Sequence, residues 1–312
     1  MQCIHNNNKN AFVLSIVLWI VAAILVGVTA IAMFSKDSVS LSTKLNYKLQ
    51  TRLSAQSVLE ALKFYIATAN YDNNSLINAN FTNFTYKLPK KIVLDGRSYM
   101  LDKNITIKLQ DTSSLVNVLT SSCDTIAFLA TTPTQRALRH TISGSIADWR
   151  DTDNMTRLNG AENPTYEFKK KVTYKARNSD AIQDSQELRL INGIDTIPQV
   201  QWQNLRKMLY YGRTGVINLA LINSYYLSFL LQIDNSYAKT LIDIRSEDMN
   251  KFIKIVSALP KFNDGYMGFY ISKQFKIEIV VNKSGARSIL KTLIDFHPTK
   301  QYEWTTESYN IQ

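Results

Sequence analysis

Cysteine and histidine are scarce. The 312 residues include two cysteines, Cys3 and Cys123, far apart and in unlike surroundings, which excludes a disulfide framework and a CxxC metal site. Three histidines, at 5, 140 and 297, leave little material for imidazole chemistry. GxSxG, HExxH, P-loop and GxGxxG motifs are all missing, so no catalytic residue is assigned and an enzyme is not expected. Cys123 reads as a small buried hydrophobe, and His140, beside Arg139, as an exposed or capping residue. Internal repeats, low-complexity tracts and long linkers are also not visible. What the chain has is positive charge: 36 Lys plus Arg against 25 Asp plus Glu give +11, a balance that permits an anionic partner without naming one. With 45% hydrophobic and 20% charged residues, the composition is that of a globular chain long enough for one large domain or two ordinary ones.

The hydrophobicity is unevenly spread. Ala11 to Phe34 contains neither charge nor proline. At about 1.5 Å per residue it can cross a hydrocarbon layer of roughly 30 Å. The run is too long for a cleaved secretory signal, and Ser35, Lys36 and Asp37 follow it instead of a small-x-small site, so a retained membrane helix is expected. Lys9 competes with Lys36, Lys44, Lys48 and Arg52 on the far side. The positive-inside rule therefore slightly disfavours a cytoplasmic N-terminus, although long domains often translocate regardless. Leu41, Leu45, Leu49 and Leu53 recur every four residues, and Leu59, Leu62, Tyr65, Ile66 and Ala69 continue the stripe. The pattern predicts one helix from about Phe12 to Asn70, stopped by the YDNNS segment at 71–75. It is either an anchor with a stalk or a pilin-type spine whose upper half packs on a globular head.

Beyond it, β-rich runs at 84–110 (FTYKL, KKIVL, SYMLDKNITIKLQ) carry Asp95-Gly96 as a turn. Helices are predicted over 115–130, 133–147, 185–191, 198–211, 222–232, 236–242 and 246–258, the fourth and last preceded by Pro198 and Ser246 respectively. Strand patterns return in YMGFYIS, KQFKIEIVVN and ARSILKTLIDFH, with Asn282-Lys283-Ser284-Gly285 as a hairpin turn. The expected fold is α+β: a long N-terminal helix packed on one antiparallel sheet, its strands drawn from both sides of a large helical insertion.

Three stretches give a family resemblance. AFVLSIVLW at 11–19 resembles the start of the minor pseudopilin K family of type II secretion systems. IADWRDTDNMTRLNGAENPTYEFKKKVTYKARNSDAIQDSQELRLINGI at 146–194 is similar to that family's D-W-x-D-x-D, G-A-E, Tyr, Y-x-x-x-N and E-L elements in order and spacing. GVINL at 215–219 resembles its second I-N-L-N segment, with Ala220 in place of the second Asn, and QDTSSLVNVLT at 110–120 is a degraded first copy. The resemblance covers essentially the whole chain. It implies a prepilin leader over 1–11, cleaved by a prepilin peptidase between Ala11 and Phe12 and followed by methylation, with Ala11 standing where the family has glycine. It further implies a transmembrane helix over 12–34 and its amphipathic continuation over 35–70. A pilin-like head over 71–114 and 261–312 and a helical insertion over 115–260 complete the division. Ile16 falls at mature position five, where most pilins carry glutamate and the K family does not. The family's setting is the inner membrane, single-pass, with the C-terminal domain in the periplasm. Its function is a structural subunit capping the pseudopilus tip and helping to start assembly. Its partners are the minor pseudopilins I and J, the major pseudopilin G, the prepilin peptidase and inner-membrane lipid.

Asp148, Asp151, Asp153 and Glu162 crowd one short segment. Calcium takes 6–8 oxygen ligands at about 2.3–2.6 Å, and clustered carboxylates on a flexible loop supply them. Asp151, Asp153 and Glu162 match EF-hand positions 1, 3 and 12, but Thr156 stands at the required glycine and Met155 at position 5, so this is not a regular EF-hand. On the residues alone, a solvated loop capping a helix or pairing with Arg150 and Arg157 competes with a metal site. The resemblance implies structural calcium bound here: Asp151, Asp153 and Glu162 first, Asp148 after them because it adjoins a helix-buried Trp149. Asn178 and Glu187 match later family positions and could complete the shell or a second site.

Two other classes compete with this reading. ELRLINGID at 187–195 looks like half of a helix-hairpin-helix that would offer backbone N–H groups to DNA phosphate, but Asp195 replaces its second glycine. Lys169, Lys170 and Lys171 between aromatics read as a solvated edge. Nucleic acid is not an expected partner, and a membrane-anchored DNA-binding module ranks behind a minor pilin of a type IV pilus, which shares anchor and head.

Overall fold

The computed structural model describes residues 8–77, 86–177, 182, 184, 186–212, 215–296 and 305–309, with side chains from residue 15 and not for 305–309. Helix α1 runs unbroken from Asn8 to Thr68. Its apolar first half is long and apolar enough to cross a membrane, and none of its most apolar window is buried inside the protein. A core helix of a soluble domain would be covered. Here Trp19 is 78% and Phe34 74% exposed, an exposure that suits lipid and not water.

The upper half packs through Thr51, Ala55, Val58, Leu62, Tyr65 and Ala69, all buried. A short antiparallel sheet follows: β1 (Asn70–Asp72), β2 (Ser75–Ile77) and β3 (Lys91–Val93). The YDNNS segment thus becomes a hairpin, with Asn73 and Asn74 at its turn. The main sheet has the order β12-β11-β10-β5-β4, all antiparallel. Its strands are β4 (Asp95–Asp102), β5 (Ile105–Asp111), β10 (Gln274–Lys283), β11 (Ala286–Asp295) and β12 (Thr305–Tyr309). The β5–β10 pairing joins segments some 160 residues apart in sequence, Phe275 opposite Asp111 and Val281 opposite Ile105, so the sheet does draw on both sides of the helical block. Alternate residues Ile105, Ile107 and Leu109 face α1 together with Phe275, Ile277, Ile279 and Val281. This period-2 pattern is what half-buried strands require. Each such side chain contributes roughly 1.5–3 kcal/mol by burial.

The helical block is α2 (Cys123–Ala130), α3 (Arg136–Arg150), α4 (Gln199–Met208), α5 (Ser224–Leu231), α6 (Asn235–Glu247) and α7 (Met249–Ser257). A π-turn at Thr165–Lys169 and a 3₁₀ turn at Glu187–Leu190 lie between α3 and α4. It has its own core, including Trp149, Tyr166, Leu188, Trp202, Tyr226 and Phe252.

Several expectations are corrected. Residues 115–122 are not helical: β6 (Val116–Asn117) and a turn precede α2, whose N-cap is Ser122. Asp95-Gly96 is a bulge at the start of β4 and not a hairpin turn. Gly96 has φ +81° and the register shifts between Asp95 and Ser98, a conformation glycine adopts without a Cβ penalty. In FTYKL the residues described, 86–88, are not a strand, and YMGFYIS keeps only the two-residue β9 (Met267–Gly268). The cap of α7 is Asp248, accepting the Lys251 N–H at 3.0 Å, and not Ser246.

A repeat also emerges. Asn117 in β6 and Asn218 in β8 (Ile217–Asn218) each accept the N–H two residues on, from Leu119 and Ala220 at 3.0 Å. Each strand pairs in parallel with a two-residue partner, β7 (Leu209–Tyr210) and β9. Each is followed five residues later by an N-cap, Ser122 or Asn223. The helical block is two such units in tandem.

Candidate cation site

Helix α3 ends in the sequence that builds the site. Trp149 is buried, its indole N–H donating to Glu187 at 2.8 Å and its ring edge-on to Tyr166. This anchors the last turn and turns Asp148 inward. Asp151 forms the C-cap, its N–H bonded to Ala147 O at 3.1 Å. The chain then doubles back, and the Asn159-Gly160 turn brings it against α3. A Cβ on Gly160 would lie 2.0 Å from Asp148 Oδ2, and one on Gly144 would sit 3.1 Å from Gly160 N, so a side chain at 160 would displace Asp148 and the contact at 144 is tight.

The fold gathers Asp148, Asp151 and Glu162. One carboxylate oxygen from each lies within 4.8 Å of the others. Asp148 and Glu162 are fully buried. Asp148 accepts the Arg157 backbone N–H and its guanidinium at 3.0 Å, and the same guanidinium pairs with Asp151. Among the described residues, neither oxygen of Glu162 nor Oδ1 of Asp151 makes a hydrogen bond of good geometry, although the Asn163 N–H lies close enough to Glu162 to oppose the rise of its carboxyl. Burial, then the Asp148 and Asp151 charges, push the Glu162 carboxyl up to about 7. Two carboxylates hold the Arg157 guanidinium above its usual range. With all three carboxylates ionised, one guanidinium would leave two negative charges uncompensated within the cluster. Buried carboxylate oxygens without donors are costly unless a proton or cation meets them. Clustered carboxylate oxygens are the donor type that hard divalent cations such as calcium take, and these three residues could supply part of the 6–8 oxygen ligands.

The other predicted ligands fall elsewhere. Asp153 is exposed, and its carboxylate accepts the Met155 N–H at 2.7 Å. Glu187 is occupied by Trp149 and by the Arg177 guanidinium. Neither belongs to the group of three. Asn178 lies outside the described residues. Arg150 donates to Ser121 O and Leu119 O. Sequence reasoning missed the role of Gly160; the signal was the Asn-Gly dipeptide, with Asn159 at φ +64°, a turn signature between the acidic residues. In the helix-hairpin-helix-like segment, the Gly193 N–H already donates to Asp195 at 2.9 Å, and Asp195 pairs with Lys170. The amide and cation that phosphate would need are both taken by the Asp195 carboxylate.

A membrane-length helix continuing under an antiparallel sheet, with a helical block inserted into that sheet, defines a pilin-like α+β fold whose first helix fits a single-pass anchor. More particularly, residues 125–209 match the family described as Type II secretion system (T2SS), protein K. The span includes Asp148, Asp151 and Glu162, and the resemblance read from 146–194 lies inside it. The whole chain is also similar in fold to a chain of the crystal structure of the GspK-GspI-GspJ complex from the enterotoxigenic Escherichia coli type 2 secretion system. The TM-score is 0.54 at 15% identity, covering 89% of this chain and 99% of that one. No curated protein matches the sequence.

Proposed function

We propose that this chain is a minor pseudopilin of a type II secretion system, a non-enzymatic subunit at the tip of a periplasmic pseudopilus. The observation that carries the reading is the presence on one chain of the protein K domain and a membrane-length helix running into a pilin-like sheet. The related complex contains GspI and GspJ, and the corresponding subunits are proposed as partners here, with the major pseudopilin below. The prepilin peptidase would cut between Ala11 and Phe12. Ile16, 43% exposed on α1, offers no carboxylate to the amine of an arriving subunit. Losing one member of a buried charge pair costs about 3–5 kcal/mol, so the chain suits an end and not the body of a filament. The helical block would also clash if repeated around a thin fibre. Co-purification of the full chain with its I and J counterparts tests this. Long homopolymers of the unmodified chain, or no association, would sink it.

Calcium is proposed as the structural ion of the Asp148–Asp151–Glu162 cluster. Bound there, it would supply the missing charge and draw the loop onto α3, with Arg157 swinging off Asp151. Terbium luminescence excited through Trp149, lost on Glu162→Gln, is the direct check.

A further inference from the structure

The membrane-facing end of the head carries a basic cleft that the pseudopilin reading does not use. Thr51 of α1 bonds Ser288 of β11 at 2.8 Å, while Phe275, opposite Ile294, stacks on Tyr71 above the top of the helix. Strand β11 therefore climbs along α1 as numbering rises, and the β10–β11 turn points down toward the membrane. A cleft of about 390 Å³ opens at that turn, lined by Asn104 and by 282–287 with Lys283 and Arg287 as its only charges. Below the part of α1 covered by the sheet, Lys44 and Lys48 continue the helix face of Thr51 and Ala55, at the i+3 and i+4 spacings that share one face. These four cations make no ion pair among the described residues. Lys36, Arg52 and Lys103 flank them, and the acids in the same segments are Asp37 and Asp102, the latter capping the Lys103 N–H.

Distance decides what could meet this charge. From Phe34 to Thr51 the helix rises about 25 Å, and the turn reaches back about 13 Å from Ser288 at 3.3 Å per residue. That leaves it about 12 Å above the end of the apolar run. The headgroup layer fills about 5–7 Å of this, and the remainder is within a Debye length of about 8 Å even before any helix tilt. From these placements we infer that Lys44, Lys48, Lys283 and Arg287 form a docking face for anionic phospholipid headgroups of the membrane that holds α1. The head is thereby held against the bilayer before it is drawn into an assembly. The inference depends on α1 spanning a membrane and not on which secretion or pilus system the chain serves.

The test uses the full chain with Cys3→Ser, Cys123→Ala and a fluorophore on Ser284→Cys. It is reconstituted into vesicles of phosphatidylcholine, or of equal parts phosphatidylcholine and phosphatidylglycerol, each with a headgroup-attached quencher. Quenching several-fold stronger with phosphatidylglycerol is expected, fading as salt rises. Each Lys→Gln or Arg→Gln change at the four positions should lower the docked-to-undocked ratio by up to about five-fold. Lys283→Arg and Lys44→Arg should retain it, and the thermal melt should not move. Equal quenching in both lipids, or an unaffected quadruple variant, would overturn the docking face. Selective displacement by inorganic phosphate over chloride at matched ionic strength would overturn the lipid source in favour of free phosphate. Failure to float with either vesicle would overturn the anchor itself.

Discussion

The helix–sheet core and the acidic loop solve the burial problem in opposite ways. Between α1 and the main sheet, Val58, Leu62, Ile66, Ile107, Leu109 and Ile277 are fully buried. The deep polar groups there are matched: Thr51 with Ser288, Tyr65 with the Pro89 and Lys90 carbonyls, Asp111 with Ser113 and Ser272. In the loop after α3, the buried carboxylate of Glu162 meets no cation and makes no hydrogen bond of good geometry among the described residues. One region closes on itself, and the other is finished only by a proton or a cation. Apolar burial carries no titratable group, whereas the raised Glu162 carboxyl makes the loop's free energy depend on pH, and the proposed calcium would make it depend on the free ion as well.

The sharpest way to break the comparison is a cavity in the self-sufficient region. Leu62→Ala should cost about 2–5 kcal/mol by removing fully buried methyl groups that their neighbours cannot follow. The loss, read by chemical denaturation, should be the same in calcium and in chelator. A calcium-dependent loss would mean that the two regions are not energetically separate.

Next comes Glu162→Gln, whose sign should invert with conditions. The folded carboxyl is raised from 4.5 to about 7, so between those values the folded state holds a proton that the unfolded state releases. In chelator, stability should therefore fall as pH rises through that window. The cost is complete above the folded value, at about 3 kcal/mol for a shift of this size. Glu162→Gln should flatten that slope and stabilise the chelated protein at pH above 7. In calcium the same change removes a ligand and should destabilise. Melts at paired pH values with and without chelator read all four corners, and a slope that survives the substitution would assign the pH dependence elsewhere.

Arg157→Gln is a smaller effect of the same kind. The guanidinium is half-exposed, so solvent screens it, and about 1 kcal/mol is the expected loss in chelator. Calcium affinity should rise, because the cation no longer competes with a resident positive charge at Asp148 and Asp151. A parallel loss of affinity would make Arg157 part of the bound arrangement.

What could be read from the sequence tracks how local the determining physics is. The β10–β11 hairpin was legible because alternation over ten residues and the Asn-Lys-Ser-Gly turn both act between neighbours; Ser284 and Gly285 do take φ of +48° and +82°. The paired two-residue strands were not, since two residues carry no period. The acidic cluster was legible as a cluster, but its membership was not. Asp153 is two residues past Asp151, and only the direction of the chain after the C-cap sends it to solvent. Glu187 has the right chemistry and is taken by Trp149 and Arg177, contacts that exist only once α3 packs.

The leucine stripe shows the same limit and carries the smallest prediction. A repeat of four residues turns about 400° around a helix of 3.6 residues per turn, so each leucine lies about 40° further round than the last. Leu41, Leu45, Leu49 and Leu53 consequently wind away from the face that meets the sheet. They are 59%, 57%, 56% and 55% exposed, while Thr51 and Ala55 occupy the contact. The stripe predicted as one surface is thus two: Leu59, Leu62 and Tyr65 inside the head, and four leucines outside it. Leu45→Ser should leave the melting of the isolated chain unchanged to within about 0.5 kcal/mol, as for a surface position with no packing to lose. If the exposed leucines are instead where neighbouring pseudopilin helices lie, the same substitution should weaken co-purification with the I and J counterparts while the melt stays still. A melt that drops with Leu45→Ser would place this leucine inside the fold, and the separation between the two surfaces would fail.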